Sequence, residues 1–464
     1  MHEILVKRVQ HPVGQGGFHM ADMLVGDEPF RYIYDCGSGK PGAIEAVLAG
    51  LHREDHEKSF DWLVISSFDM DHFIGVKLLI DAGYTFKRVF LPHRLDKNLL
   101  VWLLCCYVLD KRSQAEIVAA IDALRVIRAL DMERPEEPDG DNPHAVLEPL
   151  DPALVKAGKI NVTYYVEDAD WMFRFYSLET NFAPLVKAMF KRPEFAELKA
   201  IMERAADTVT GTAQNPDTAK ILNELFEALG KQPGKPSTQR KARAAKIPTG
   251  TPVAATSSSA TTTADTVKQL LGKAYESLSE NGVRVFGDYN EVSLCLYSGP
   301  RTRVHTAYTR FTVECGLENR PIHPVQDSTR RVGWLGVGDM GFANQQLLDQ
   351  FALYYAAELA LACTKMVPHH GAQSNYGKLL PMLKPFIGLD TDQPLWVAAA
   401  HPLTRYRHPA GVVVMECQKN GHFAMVSDDP GSRIEETISS ASRSAISAPT
   451  ARHLLNLLYH AGYR

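Results

Sequence analysis

Short apolar runs separated by glycine-rich turns dominate the first hundred residues. EILVKRV at 3–9 precedes the turn VGQGG, and FRYIYD at 30–35 precedes CGSGKPG. AIEAVLAGLHRE at 43–54 repeats apolar residues every three to four positions and predicts a helix, whereas DWLVIS and RVFLPH predict strands. Alternation of strands and helices is typical of a layered α/β domain.

The hydrophobic periodicity changes after about residue 97. SQAEIVAAIDALRVIRAL at 113–130 and the segment 182–209 carry apolar residues at helical spacing, so we predict a mainly helical insertion over 97–281. Residues 230–263 contain six cations but almost no large apolar side chains, which predicts a flexible basic linker. This linker is either a solvated tether or a segment that contacts nucleic acid.

Strand-like segments return after residue 282. They are VRVFGDY, VSLCLYS, RVGWLGVGDM, TKMVPHHGA, LWVAAAH and GVVVMEC. The sequence therefore predicts one α/β domain in two halves, residues 1–96 and 282–430, followed by a C-terminal tail and helix over 431–464.

The composition is typical of a soluble, cytoplasmic protein. A formal net charge of −4 argues against coating nucleic acid through the overall field. The seven cysteines form no CxxC pair, which favours a reducing compartment. LLVWLLCCYVL at 99–109 is too short to span a bilayer, so we expect a buried helix there and no membrane contact.

Aspartate and histidine recur where predicted strands end, and loops at such ends commonly carry function. These residues are Asp35, Asp69, Asp71, His72, Asp339, His369, His370 and His408. In an extended segment Asp69 and Asp71 would face the same way. A helix starting near His72 would turn its imidazole into the same space. Such a set suits one or two divalent cations, Mn²⁺ or Zn²⁺ before Mg²⁺.

The same DxDH segment has a purely structural interpretation. Aspartate favours the N-cap position of helices, so the segment could simply begin a helix. That interpretation accounts for one aspartate, and it leaves the histidine pair and the Gly-Asp turn unexplained.

Seven short motifs follow one another in a distinctive order. They are VGQGG at 13–17, IYDCG at 33–37, SFDMDHFIG at 67–75, NEVSLCL at 290–296, LGVGD at 335–339, VPHHGA at 367–372 and TRYRHP at 404–409. In this order they resemble the metallo-β-lactamase fold superfamily, most closely the hydrolase domain of ComEC-type DNA-uptake proteins. The resemblance covers about residues 1–95 and 285–430. It implies an αββα sandwich, two sheets with helices outside.

Carried over by position, the resemblance also implies a reaction. Its metal ligands would be Asp69, Asp71, His72, Asp339 and one or both of His370 and His408. Two cations would activate a bridging water for attack on a phosphodiester, and Asp71 would orient the resulting hydroxide. His369 or His408 would contact the phosphate or protonate the leaving group. Asp35 would support the ligands from behind.

Ser67 departs from the family pattern, because the motif has a histidine there and a neutral hydroxyl is a weak ligand. Arg407 replaces a glycine and is either an anion clamp or a surface charge. The sequence leaves two main functions open. One is a metal-dependent hydrolase of phosphodiester bonds that acts on nucleic acid or a nucleotide. The other is a catalytically weak binding or regulatory subunit of a bacterial multi-protein system, with a protein partner on the 97–281 insertion. Lactone, thioester or β-lactam hydrolysis is a third, more distant alternative.

Overall fold

The structure is a computed structural model of the chain. It describes residues 2–110, 112–132, 147–149, 161–166, 169–178, 182–190, 196–211, 218–228, 293–301, 306, 308–314, 321–329, 331–341, 345–373, 394–401, 403 and 407–440. The predicted linker at 230–263, the predicted strand VRVFGDY and residues 441–464 lie outside the described residues. The chain divides into two compact units. The first comprises 1–94, 126–180 and 286–464, and the second comprises 95–125 and 181–285.

Sixteen strands are described. They are β1 (Ile4–Gln10), β2 (Phe18–Val25), β3 (Glu28–Cys36), β4 (Ser59–Val64), β5 (Thr85–Phe90), β6 (Leu147–Pro149), β7 (Thr163–Val166), β8 (Met172–Tyr176), β9 (Cys295–Gly299), β10 (Tyr308–Glu314), β11 (Pro321–Thr329), β12 (Gly333–Gly336), β13 (Ala362–Met366), β14 (Leu395–Ala399), β15 (His422–Val426) and β16 (Ile434–Ser440).

The described helices accompany these strands. They are α1 (Ala43–Arg53), α2 (Met70–Phe73), α3 (Val76–Asp81), α4 (Lys97–Leu109), α5 (Gln114–Met132), α6 (Ala183–Met189), α7 (Ala196–Thr210), α8 (Thr218–Ala228), α9 (Gln345–Tyr354), α10 (Glu358–Leu361) and α11 (Gly411–Lys419), with 3₁₀ turns at Pro368–Gly371 and Pro430–Ser432. None of these helices is long and apolar enough to cross a membrane.

The strands of the first unit form two eight-stranded sheets. Their orders are β11-β10-β16-β1-β2-β3-β4-β5 and β15-β14-β13-β12-β9-β8-β7-β6. One hydrophobic core contains side chains of both sheets, and it brings Trp62 within 4.9 Å of Phe173 and Tyr34 within 5.1 Å of Trp334 between ring centroids. Burial of these apolar faces is the main force holding the sheets together. The predicted α/β class is confirmed.

Parallel strands in both sheets set the position of the polar loops. β3, β4 and β5 run parallel in the first sheet, and β12, β13, β14 and β15 run parallel in the second. The carboxyl ends of parallel strands meet at one edge of a sheet, which is where α/β proteins place ligands. The loops after β3, β4, β12 and β13 carry most of the predicted site residues.

The region between 97 and 281 is less uniform than the predicted helical insertion. β6, β7 and β8 come from this region and extend the second sheet next to β9. The segment TYYV at 163–166 shows the expected alternation, with Tyr164 and Val166 buried and their neighbours half-buried. These strands have only three to five residues each, too few to outweigh the helical periodicity of the segments on either side.

The second unit consists of helices where it is described. α4 buries Leu100, Trp102 and Leu103, as expected for LLVWLLCCYVL. Its Cys105 Sγ lies 3.1 Å from Met202 Sδ on α7. On α5, Arg125 donates to the backbone oxygen of Thr208 at the end of α7. The helical prediction for these segments is confirmed.

Two predictions near the C-terminus are wrong. GVVVMEC forms the helix α11 instead of a strand, because Val413, Glu416 and Cys417 are spaced to bury one helical face. Residues 434–440, predicted to belong to a tail and helix, form β16 between β10 and β1. A strand in the middle of a sheet gains backbone partners on both sides, which local propensity does not reveal.

Candidate metal centre

Four side chains converge at the edge where the parallel strands end. They belong to Asp71, His72, Asp339 and His370; all four are buried, and their ligand atoms lie within 4.8 Å of one another. Asp339 Oδ1 is 3.0 Å from His72 Nε2 and 3.2 Å from His370 Nε2. Asp71 is 3.4 Å from His370 Nε2 through Oδ2 and 3.9 Å from His72 Nε2 through Oδ1.

The N-terminal part of the cluster comes from the short helix α2. Asp69 occupies the N-cap and its side chain accepts from the backbone N–H of Met70. Asp71 and His72 therefore lie in the first helical turn, where they project side by side. The expectation that Asp69 and Asp71 face the same way across an extended segment is wrong, because the helix begins at Met70.

The hydrogen bonds behind the cluster fix both imidazole rings. His72 Nδ1 lies 2.8 Å from Asp35 Oδ2, and His370 Nδ1 donates to the carbonyl oxygen of Ala399 at 2.8 Å. Asp35 also accepts from the backbone N–H and the hydroxyl of Ser66, each at 2.6 Å. Each ring therefore presents Nε2 to the carboxylates of the cluster, as second partners do in metal sites.

Sequence reasoning missed two of these supporting groups. Ser66 adjoins Ser67 in an otherwise apolar run, and no spacing rule distinguishes the two serines. The Ala399 group is a backbone carbonyl, which only the folded position of β14 can reveal. Asp35, by contrast, lies behind His72 as the resemblance implies.

Left-handed backbone conformations concentrate around the cluster. The five described non-glycine residues with positive φ are Asp35, Asp55, His369, His370 and Arg407, and all but Asp55 lie in or next to the candidate site. Such conformations cost about 1–3 kcal/mol each and collect at functional sites. Gly338 also has a positive φ, 52°. A larger residue would not fit at this position, because its Cβ would lie 2.4 Å from Ser66 Oγ. The fold accepts strain in order to place Asp339 and His370 together.

The charges of the cluster are strongly coupled. Burial alone would lower the pKa of His72, but the carboxylates of Asp339 and Asp35 raise it well above its usual value. Burial likewise opposes charge on His370, yet Asp339 and Asp71 raise its pKa to about 9. Burial would raise the pKa of both aspartates of the cluster, but the two imidazoles lower them.

A divalent cation fits these residues. Buried atoms without a hydrogen-bond partner include His72 Nε2, His370 Nε2, Asp71 Oδ1 and both carboxylate oxygens of Asp339. The His72 Nε2 and Asp339 Oδ1 atoms are thus 3.0 Å apart without forming an aligned hydrogen bond. Orphaned buried polar atoms are rare and call for an ion or a water. One divalent cation would supply the two positive charges that two protons otherwise bring to the imidazoles.

The set of two nitrogens and two oxygens limits the choice of ion. Ligand atoms around a tetrahedral ion with bonds of about 2.1 Å are separated by roughly 3.4 Å. The observed contacts of 3.0 to 3.9 Å bracket that separation. Mixed nitrogen and oxygen ligands suit Zn²⁺ and Mn²⁺ better than Mg²⁺, which prefers oxygen.

Two other predicted site residues lie beside the cluster. The rings of His369 and His408 are partly exposed, and their centroids are 5.8 Å apart. His369 adjoins His370, with ring centroids 6.3 Å apart. Burial lowers the pKa of His408 to about 4, and the rings of His370 and His369 act in the same direction. Neither residue belongs to the four-residue cluster.

A small cavity adjoins the inner side of the cluster. It has a volume of about 30 Å³, and Asp35, His72 and His370 contribute to its lining together with Gln10 and His19. That volume accommodates one or two water molecules but no organic substrate.

Comparisons with protein-family models, with curated proteins and with solved structures find no match for the chain. The chemistry of the site is therefore the basis for assigning a function.

Proposed function

We propose that the protein is a metal-dependent hydrolase of phosphodiester bonds. The observation that carries the proposal is the convergence of orphaned, fully buried ligand atoms from Asp71, His72, Asp339 and His370. A bound divalent cation would polarise a water and neutralise charge on a phosphoryl oxygen.

The residues of the chain have separate roles in this proposal. Asp71, Asp339 and the two imidazoles hold the cation, and Asp35 keeps His72 in the tautomer that presents Nε2. His369 and His408 lie at the accessible side, where an N–H can donate to a phosphoryl oxygen or pass a proton to the leaving group.

The substrate class rests on the ordered motifs. They favour a nucleic acid or a nucleotide as substrate, and they favour the metallo-β-lactamase sandwich as the detailed description of the two packed sheets. A net charge of −4 makes a local contact more plausible than a broad electrostatic surface.

Metal content and hydrolysis should be measured together on the purified protein. We expect bound Zn or Mn and metal-dependent cleavage of bis-p-nitrophenyl phosphate and of a short single-stranded DNA. Chelation should abolish cleavage, and re-addition of Mn²⁺ should restore it. A β-lactam and a thioester serve as comparison substrates for the other chemistries of the fold.

The first variant to test is Asp339→Asn, because Asp339 contacts both imidazoles. Mutation of a residue that supports a ligand typically lowers metal affinity about 10–100-fold. Loss of the ligand itself should lower the metal affinity further. Asp349→Asn, on the exposed side of α9, is the matched control and should behave as the wild type. Metal binding without hydrolysis of any of these substrates would instead favour the binding or regulatory subunit.

A further inference from the structure

The side chain at position 67 forms a hydrogen bond with the nearby backbone. The resemblance implies two cations, one of them held in part by residue 67, where the chain has serine. Ser67 is buried, and its hydroxyl oxygen accepts a hydrogen bond from the backbone N–H of Asp69 at 3.1 Å. A neutral hydroxyl in this position is a turn-forming group and a poor replacement for imidazole.

The carboxylate of Asp69 also forms a hydrogen bond with the nearby backbone. Its Oδ1 accepts from the backbone N–H of Met70 at 2.7 Å, and its extended conformation (φ −70°, ψ 141°) is that of an N-cap. The neighbouring Asp71, two residues on, belongs to the four-residue cluster, whereas Asp69 does not.

The remaining ligands are all directed at one place. Among the residues that the structure describes, Asp71, His72, Asp339 and His370 form the single group of three or more histidine, cysteine or acidic side chains close enough to share an ion. Both imidazoles contact the same oxygen, Asp339 Oδ1. Four ligands around one point are the complement that a single cation requires.

We infer that the centre binds one divalent cation per chain and lacks the second ion of a dinuclear hydrolase. This inference rests on the proposed metal-dependent function and restricts it. Ser67 and Asp69 shape the start of α2, and Asp71 alone of the DxD pair is a ligand.

The test is the stoichiometry and the magnetic character of the bound metal. The full-length protein is stripped with a chelator, titrated with Mn²⁺ and examined by elemental analysis and electron paramagnetic resonance. One equivalent per chain, with the spectrum of an isolated ion, supports the inference. Two equivalents with a spin-coupled spectrum overturn it and leave the proposed hydrolase intact. No bound metal overturns both.

A pair of matched variants tests the role of Asp69 without disturbing the helix. Asp69→Asn keeps a side-chain oxygen for the cap but removes the charge that a metal ligand supplies. We expect its Mn²⁺ affinity to stay within about threefold of the wild type, whereas Asp71→Asn should lose more than about tenfold. An equal loss in both variants would overturn the inference.

Discussion

Asp35 supports the centre without belonging to the group of ligands. Its carboxylate meets the backbone N–H and hydroxyl of Ser66 and the Nδ1 of His72, all within 2.8 Å. The residue also holds a left-handed conformation, with φ 62°. The charge, the hydrogen bonds and the unusual backbone conformation of this one residue therefore all serve to position His72.

Asp35→Asn should lower metal affinity while leaving the fold in place. Asparagine accepts the left-handed conformation at least as well as aspartate, so the backbone cost is small. The lost negative charge makes His72 a weaker ligand, and we expect an affinity about 10–100-fold lower. Competition with a chromophoric chelator measures this change.

The control for Asp35→Asn is Asp81→Asn, which removes an exposed carboxylate paired with Lys77 on α3. This variant should keep the metal affinity of the wild type, because surface pairs contribute little. Equal affinities for Asp35→Asn and the wild type would contradict the supporting role.

The cluster residues could be identified from sequence because the chemistry requires those residue types at strand ends. Asp71, His72, Asp339 and His370 lie in motifs whose resemblance to a known family implied a shared site, and the structure brings the four side chains together. Asp69 could not be separated from Asp71 in this way. The distinction depends on whether the helix begins at residue 70 or 72, and helix ends are difficult to predict from sequence to within two residues.

At the scale of elements, the three consecutive valines of α11 show why one helix was predicted as a strand. β-Branched residues favour strands, so VVV preceded by a glycine indicates a sheet. In the structure Val413 is fully buried with Cys417 one turn later, whereas Val412 is 37% exposed. Burial of one helical face outweighs the intrinsic preference of the valines.

Val413→Ala and Val412→Ala form a matched pair in this helix. Alanine improves helix propensity equally in both, so their difference isolates burial. We expect Val413→Ala to lower the free energy of unfolding by about 2 kcal/mol and Val412→Ala to change it by less than about 0.5 kcal/mol. Urea denaturation followed by circular dichroism measures both values. A strand in solution, with alternate residues facing the core, would reverse or equalise the two effects.

At the scale of the whole first unit, β16 pairs a late segment of the sequence with the first strand, β1. It lies between β1 and β10, and Glu436 on its inner face contacts Arg8 Nε at 2.7 Å and Arg310 Nε at 2.7 Å. The hydroxyl of Thr364, on β13 of the other sheet, donates to the same carboxylate at 2.7 Å. Local patterning predicts the strands of the first hundred residues, but it does not reveal that β16 pairs with β1, whose Arg8 lies 428 residues before Glu436 in the chain.

Glu436→Gln should destabilise the first unit severely, because it leaves two arginines near a buried site without their counter-charge. Loss of one partner of a buried ion pair typically costs about 3–5 kcal/mol. Glu435→Gln is the matched control one residue away. Glu435 pairs with Lys7 and Arg433 at a partly exposed position, so its loss should cost less than about 1 kcal/mol.

The pH dependence provides a second readout for Glu436. Burial would raise the pKa of Glu436, but Arg310 and Arg8 lower it below the ordinary value of 4.5. A carboxyl with a lowered pKa in the folded state stabilises the protein fully above its unfolded pKa and loses that contribution as the pH falls. The stability gap between the wild type and Glu436→Gln should therefore be constant above about pH 5.5 and narrow as the pH falls below about 4. A gap that widens on acidification would show that Glu436 is protonated in the folded protein and that the ion pairs do not close the sheet.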